Sequence, residues 1–145
     1  QAQNLAVAYI VALSSGVDKM FWYNLRAGEW KTSDPEANFG IVHKDMSPKP
    51  AYKAMQVLSS VLPEGASRPK ISKFGDVYVA EWTRPDSVKV SAIWSPIKTK
   101  TNLSFDGNAK SVVDFMGKSY PVSIPEYVSA SPFYIEGVSN ARPKD

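Results

Sequence analysis

The chain has 145 residues, of which 43% are hydrophobic and 12% aromatic, and this composition is typical of a folded globular protein. No apolar run approaches the roughly 18 residues of a membrane-spanning helix, so we expect no membrane partner. Seventeen basic and fourteen acidic residues give a net charge of +3, and the basic residues are scattered along the chain. Nucleic acid is therefore not an expected partner, because its binding requires a basic patch.

The first sixteen residues predict a helix. Apolar side chains recur there at helical spacing, at Leu5, Ala6, Tyr9, Ala12 and Leu13. Gly16 follows where a left-handed residue commonly ends a helix, so we expect the helix over residues 2–14. The chain starts with Gln1 inside this pattern, which favours a processed product or a fragment of a longer protein.

A buried strand is predicted over residues 17–24. Its centre, Met20-Phe21-Trp22-Tyr23, is apolar on both faces, as in strands that are covered from both sides. Such a strand needs neighbours on both edges. The next segment, residues 26–39, is rich in Gly, Ser, Asp, Pro and Asn, and loops longer than about 12 residues are usually functional or disordered.

A second helix is predicted after this loop. Ser47 has the character of a helix cap and Pro48 that of the first helical residue. One apolar face follows, formed by Ala51, Ala54, Met55, Leu58 and Leu62, and the pattern stops at Pro63. Residues 63–69 are rich in helix-breaking residues, so they are expected to form a linker.

The hydrophobic period changes to two after the linker. Short β-type runs are predicted at residues 77–82, 88–94, 101–105, 111–115, 119–124 and 133–136, separated by turn signals such as Asp106-Gly107-Asn108. Short strands at intervals of about ten residues favour an antiparallel β-sandwich, here of seven or eight strands. The predicted fold class is therefore α+β, with a helix-strand-helix unit over residues 1–62, a linker over 63–69 and the β-sandwich over 70–145.

Several of these runs resemble a known family. VDKMFWYNLRAGEW, followed by DPEANFGIV and DMSPKPAYKAM, resembles the eighth strand, its loop and the last helix of the barrel in clan A retaining glycoside hydrolases, particularly bacterial β-xylosidase-like and endoglycanase-like members. Ile93-Trp94-Ser95, Asp114-Phe115-Met116-Gly117 and Pro132-Phe133-Tyr134 resemble successive motifs of the β-sandwich that follows this barrel. The resemblance implies that residues 1–62 are the last helix-strand-helix unit of a TIM barrel and that residues 70–145 are its accessory domain.

The resemblance also implies where the catalytic groups lie. In this family the acid/base glutamate follows the fourth barrel strand and the nucleophilic glutamate follows the seventh, and this chain would begin after both. A complete barrel needs roughly 250 residues, which the chain does not have. Retaining chemistry needs two carboxyl groups about 5 to 5.5 Å apart. We therefore assign no catalytic residue and expect the chain alone to be catalytically silent.

The resemblance assigns Trp22 to the floor of the sugar subsite next to the cleaved bond. An indole ring can pack on the apolar face of a pyranose and still donate its N–H; core packing in a buried strand is the other interpretation. Asn24 lies on the same face by the period of two, where it could bind a sugar hydroxyl or cap the loop. Arg26, Glu29 and Trp30 could line the outer subsites or belong to a solvated loop.

Residue types exclude other kinds of chemistry. The chain has no cysteine, which removes disulfides, thiolate zinc sites and cysteine nucleophiles. His43 is the only histidine, so His-pair metal sites are excluded, and we expect it to be an ordinary residue flanking the helix. Neither a Gly-rich phosphate loop nor a spaced carboxylate cluster is present, so we expect no cofactor and no metal. Trp82 and Trp94 fall in β-type runs, where core packing is favoured over a sugar-binding platform.

The predicted function is that of the C-terminal portion of a glycoside hydrolase acting on plant or bacterial polysaccharides or oligosaccharides. The chain would supply one wall of the sugar cleft and a stabilising β-sandwich. Its partners would be carbohydrate and the N-terminal part of the barrel. The alternative is a self-standing carbohydrate-binding or interaction module. The sequence does not fix the compartment, although a secreted or periplasmic location is favoured over a cytoplasmic one.

Overall fold

The computed structural model describes residues 1–28, 33, 35–120 and 124–144. Within these ranges the regular structure consists of two α-helices, one short 3₁₀ helix and eight strands. The helices are α1 (Ala2–Ser14) and α2 (Pro50–Val61), and the 3₁₀ helix is Glu36–Asn38. The strands are β1 (Lys70–Phe74), β2 (Val77–Thr83), β3 (Lys89–Trp94), β4 (Thr99–Lys100), β5 (Leu103–Asp114), β6 (Ser119–Tyr120), β7 (Tyr127–Val128) and β8 (Phe133–Pro143).

Helix α1 has the predicted bounds, because its signals are local. Leu5, Ala6 and Ile10 are buried, as the helical spacing of apolar residues requires. The chain leaves the helix through Gly16, whose φ of 98° is in the left-handed region.

Helix α2 begins two residues later than the predicted start. Pro50, and not Pro48, is its first residue, and Lys49 before it is extended with φ −83° and ψ 165°. A residue that precedes proline is sterically disfavoured in the helical conformation, so Pro50 excludes Lys49 from the helix. Ser47 is not a cap; its backbone N–H and its hydroxyl both donate to Oδ1 of Asp45, at 3.0 and 2.6 Å.

The strands form an antiparallel six-stranded sheet of order β1-β2-β3-β8-β5-β6, together with a two-stranded ribbon of β4 and β7. This confirms the α+β class and an antiparallel sheet, and it is consistent with a β-sandwich. The predicted runs at 101–105 and 111–115 are not separate strands, because both belong to β5. The turn signal between them is an irregularity in the pairing of β5 with β8.

Two glycines face each other at this irregularity. Gly107 has φ 97° and Gly137 has φ 88°, a region that residues with a Cβ rarely adopt. A Cβ on Gly107 would lie 2.5 Å from the carbonyl oxygen of Gly137. The close approach of the two backbones therefore requires glycine on both strands.

The sheet is packed on both faces. The first face, which carries Trp82, Trp94 and Tyr134, shares a hydrophobic cluster with Ile10 of α1 and Leu58 of α2. The second face packs against the ribbon. Its cluster is formed by Val77, Val79, Ile93, Leu103, Val112, Val128, Phe133, Ile135, Val138 and Ala141. The division into residues 1–62, 63–69 and 70–145 stays a prediction.

Trp82 and Trp94 belong to the core. Their exposed fractions are 3% and 5%, which excludes either ring as an open sugar-binding platform. Trp82 also donates its indole N–H to the carbonyl oxygen of Val61 at 2.7 Å. This buried hydrogen bond joins the last residue of α2 to the sheet.

The buried strand predicted over residues 17–24 is not present. No described strand pairs with this segment, and the side chains of Phe21 and Tyr23 are 86% and 68% exposed. An apolar strand needs neighbours on both edges, and the described part of the chain provides none. Backbone pairing begins only at the end of the segment, where a parallel bridge joins Arg26 to Val42. A barrel remnant is thus not seen in these residues.

Candidate functional site

The predicted sugar-binding residues lie on a segment that runs beside residues 39–44. Leu25 accepts hydrogen bonds at its carbonyl oxygen from the backbone N–H groups of Ile41 and Val42, both at 2.9 Å, and Ala27 donates to the carbonyl oxygen of Val42 at 2.9 Å. Gly40 lies where the segments touch. A Cβ there would collide with the backbone nitrogen of Ala27 and lie 2.7 Å from its Cα. The glycine therefore allows this close pairing.

Trp22 is half-buried and packs on a small hydrophobic cluster of Leu5, Ile41 and Ala51. Its indole N–H donates a long, exposed hydrogen bond of 3.4 Å to the carbonyl oxygen of Phe39. The same oxygen accepts a shorter bond of 2.7 Å from the side-chain amide of Gln1. The N–H that we expected to donate to a ligand thus donates to a backbone carbonyl group in this structure.

Tyr9 forms a hydrogen bond with the backbone of Trp22. This contact was not predicted from the sequence. Tyr9 packs against the cluster that holds Trp22 and also against the cluster between helices and sheet. Burial raises the pKa of the Tyr9 hydroxyl, and a hydrogen bond with the backbone of Trp22 acts in the opposite direction. Helical spacing identified Tyr9 as a core residue, but no local signal shows that its hydroxyl reaches Trp22.

Asn24 follows on the same segment and is half-buried. Its backbone carbonyl oxygen accepts a hydrogen bond from Ile41 at 3.2 Å, and its peptide bond to Tyr23 is cis. The side-chain oxygen is buried and has no hydrogen-bond partner among the described residues. Most buried polar atoms in proteins have a partner. A donor for this oxygen is therefore not found among the described residues.

Arg26 is exposed and lies at the far end of the segment. Its Nε donates to the carbonyl oxygen of Lys44 at 2.7 Å. With His43, Lys44, Asp45 and Ser47 it lines an open cleft of about 680 Å³. The hydrogen bonds from Ser47 lower the pKa of Asp45, so its carboxyl group is ionised at neutral pH.

Trp22, Asn24 and Arg26 lie along one segment, and no hydrogen bond joins any two of their side chains in the part of the chain that the structure describes. Glu29 and Trp30 lie outside the described residues. His43 takes part in the turn before α2, where its backbone N–H donates to Ser47 at 2.8 Å. In the residues that the structure describes, no group of three or more His, Cys, Asp or Glu side chains could hold a metal ion, and no helix is long and apolar enough to cross a membrane.

Large apolar side chains are exposed along residues 17–25 of this segment and at residue 39 beside it. Those exposed are Val17, Phe21, Tyr23, Leu25 and Phe39. The rings of Tyr23 and Phe39 meet edge to face, with centroids 6.4 Å apart. Single exposed apolar side chains are ordinary, whereas the contact between these two rings joins them into one exposed apolar surface. We call this group the exposed apolar segment.

The fold recurs inside a larger enzyme. Among solved structures, the chain is similar to a family 39 glycoside hydrolase from the gut symbiont Bacteroides cellulosilyticus WH2, with 23% sequence identity and a TM-score of 0.68. The match covers 96% of this chain and 30% of that chain, so this chain spans less than a third of that protein. The likeness shows that the two share a fold. No protein-family model and no curated protein matches the sequence.

Proposed function

We propose that the chain is the C-terminal part of a retaining glycoside hydrolase of the β-xylosidase-like or endoglycanase-like type. The observation that carries the proposal is the shared fold, which extends over 96% of this chain and places its counterpart within a family 39 glycoside hydrolase. The match includes both the helical part and the sheet. The sequence motifs that resemble clan A enzymes occur in the same two regions.

The exposed apolar segment supports a role in closing a barrel. Phe21 and Tyr23 are the most exposed of its side chains, although the sequence around them has the apolar character of a strand covered on both faces. We propose that residues 17–24 become the last barrel strand when the N-terminal part of the enzyme covers them. The sheet then acts as an accessory domain that stabilises the barrel through α1 and α2.

The sugar cleft would receive one wall from this chain. The ring of Trp22 offers a surface on which a pyranose can pack. The side-chain oxygen of Asn24 is buried and has no partner among the described residues, so a rotation of the side chain toward the cleft would let it accept a hydrogen bond from a sugar hydroxyl. Arg26, Glu29 and Trp30 would line the outer subsites. Carbohydrate is the substrate class, and the catalytic carboxylates would come from the N-terminal part of the barrel.

The test compares this chain with the complete protein encoded by its gene on a panel of nitrophenyl glycosides. We expect the complete protein to hydrolyse at least one of them and this chain alone to give background rates, since it lacks the carboxylate pair. Turnover by the chain alone that survives repurification and disappears in Glu29→Gln would make Glu29 catalytic. Sugar binding without turnover by the complete protein would favour a self-standing binding module.

A further inference from the structure

The carbonyl oxygen of Phe39 accepts hydrogen bonds from two side chains, and one of them has no role in the function described so far. The side-chain amide of Gln1 donates to this oxygen at 2.7 Å, and the indole N–H of Trp22 donates to it at 3.4 Å. Gln1 directly precedes the first residue of α1. A residue at the start of this helix therefore contacts the same acceptor atom as the indole of Trp22.

The two hydrogen bonds differ in length. Typical N–H···O distances are about 2.7 to 3.2 Å, so the bond from Gln1 is short and the bond from Trp22 lies beyond this range. The two donor hydrogens carry partial positive charges and repel each other. The short bond from Gln1 therefore opposes a closer approach of the indole N–H to the same oxygen.

The apolar contacts of Trp22 do not determine which acceptor its N–H uses. The ring packs against the cluster that includes Leu5 of α1 and Ala51 of α2. Apolar packing is not directional, so it fixes where the ring lies but not the hydrogen bond at its edge. That bond depends on the Phe39 carbonyl group and, through it, on Gln1.

We propose that Gln1 is a positioning residue that leaves the indole N–H of Trp22 weakly bound, so that this N–H can change its acceptor. The amide of Gln1 occupies the Phe39 carbonyl oxygen, and the indole therefore loses little when it donates to a sugar hydroxyl instead. This inference rests on the proposed function and adds a residue of α1 to those that position the sugar. Without the Gln1 donor, the indole would bond the carbonyl oxygen more closely, and a sugar would have to displace a stronger bond.

The kinetic experiment uses the complete protein and the nitrophenyl glycoside that it hydrolyses best. In Gln1→Met, which keeps a long side chain but has no N–H donor, KM should rise about three- to tenfold, the factor expected for displacing one ordinary hydrogen bond. The value of kcat should change by less than about twofold, because the N–H contacts the sugar in both the ground state and the transition state. Gln1→Lys retains a donor and should keep most of the wild-type KM.

Nuclear magnetic resonance of the complete protein, with isotope-labelled tryptophan, gives a measurement that does not need turnover. The indole proton of Trp22 is assigned as the resonance that disappears in Trp22→Phe. In Gln1→Met this resonance should move downfield, because a closer hydrogen bond deshields the proton. A purely structural role of Gln1 would lower the melting temperature without this shift.

Gln3→Met is the matched control. Gln3 lies in the first turn of the same helix, but its side chain accepts a hydrogen bond from the hydroxyl of Ser131 at 3.0 Å. Its KM and its Trp22 resonance should equal those of the wild type. Gln1→Glu, which has the shape of glutamine without the amide donor, replaces Gln1→Met if the latter does not fold.

The two measurements separate this inference from the proposed function. An unchanged Trp22 resonance in Gln1→Met would overturn the inference, and so would a shifted resonance with an unchanged KM. If the complete protein hydrolyses no glycoside but the resonance moves downfield in Gln1→Met and not in Gln3→Met, the proposed function fails and the control of the indole by Gln1 stands.

Discussion

Gly40→Ala tests whether the pairing of residues 24–27 with residues 40–42 positions the candidate site. The new Cβ would collide with the backbone nitrogen of Ala27 and lie 2.7 Å from its Cα, where 3.4 to 4 Å is ordinary contact. The atoms in its way are main-chain atoms, which cannot turn aside as a side chain does. The two segments must therefore separate by well over half an ångström.

The separation strains the three backbone hydrogen bonds of 2.9 Å that join Leu25 and Ala27 to Ile41 and Val42. Overpacking costs about 1 to 3 kcal/mol and each lost hydrogen bond about 0.5 to 1.5 kcal/mol, so we expect a local cost of about 2 to 4 kcal/mol. The assay is native-state hydrogen exchange of the Ala27 and Val42 amides. Both should exchange at least about tenfold faster, since 1.4 kcal/mol corresponds to a factor of ten.

Gly75→Ala is the matched control for this experiment. Gly75 has a φ of 58° and open space around its missing Cβ, with no atom within 4 Å. Alanine there costs about 1 to 2 kcal/mol through its left-handed backbone, but it should leave the exchange of Ala27 and Val42 unchanged. Equal protection of the two amides in wild type and Gly40→Ala would refute the reasoning, because the close approach would then carry no constraint.

Three further predictions concern the ring of Trp22, the buried hydrogen bond of Trp82 and the division into domains. Trp22→Ala in the complete protein should cost about 2 to 4 kcal/mol of transition-state binding, measured as kcat/KM, by analogy with aromatic anchors at interfaces. Trp22→Phe should keep part of the activity. Normal kinetics with a markedly lower melting temperature would instead make Trp22 a core residue. Trp82→Phe should lower the unfolding free energy by about 1 to 3 kcal/mol in urea titrations, because the buried carbonyl of Val61 loses its donor; an unchanged midpoint would contradict this. Limited proteolysis should cut within residues 26–39 or near Gly65 and leave about residues 69–137 resistant, whereas a resistant N-terminal half would contradict the proposed division.

Local patterns predicted those elements whose signals lie inside them. Helix α1 required only the spacing of its own apolar residues, and Trp82 and Trp94 required only their places in alternating runs. Helix α2 begins at Pro50 instead of Pro48, because both prolines fit the first position of a helix and the sequence pattern alone does not distinguish them. The second proline excludes the residue between them, Lys49, from the helix.

Other features depend on partners distant in sequence. Residues 17–24 have the composition of a buried strand, but burial depends on whether strands lie beside them, and Phe21 is exposed in their absence. The direction of the Trp22 N–H depends on where residue 39 folds back, which no short motif encodes. The bond between the Tyr9 hydroxyl and the backbone of Trp22 likewise joins a helix to a loop. The residues assigned to the site thus stay a prediction, and their hydrogen bonding could not be predicted from the sequence.

The facing glycines of β5 and β8 constrain how this sequence can diverge. A Cβ on Gly107 meets the carbonyl oxygen of Gly137, and a Cβ on Gly137 would collide with the carbonyl oxygen of Asn108. The two Cβ atoms would meet different carbonyl oxygens, so a substitution at one glycine does not remove the collision caused by a substitution at the other. Related chains should therefore keep both glycines or lose both together with the extra residues of the irregularity. Covariation between these two positions in related sequences would then show that the register between β5 and β8 is kept.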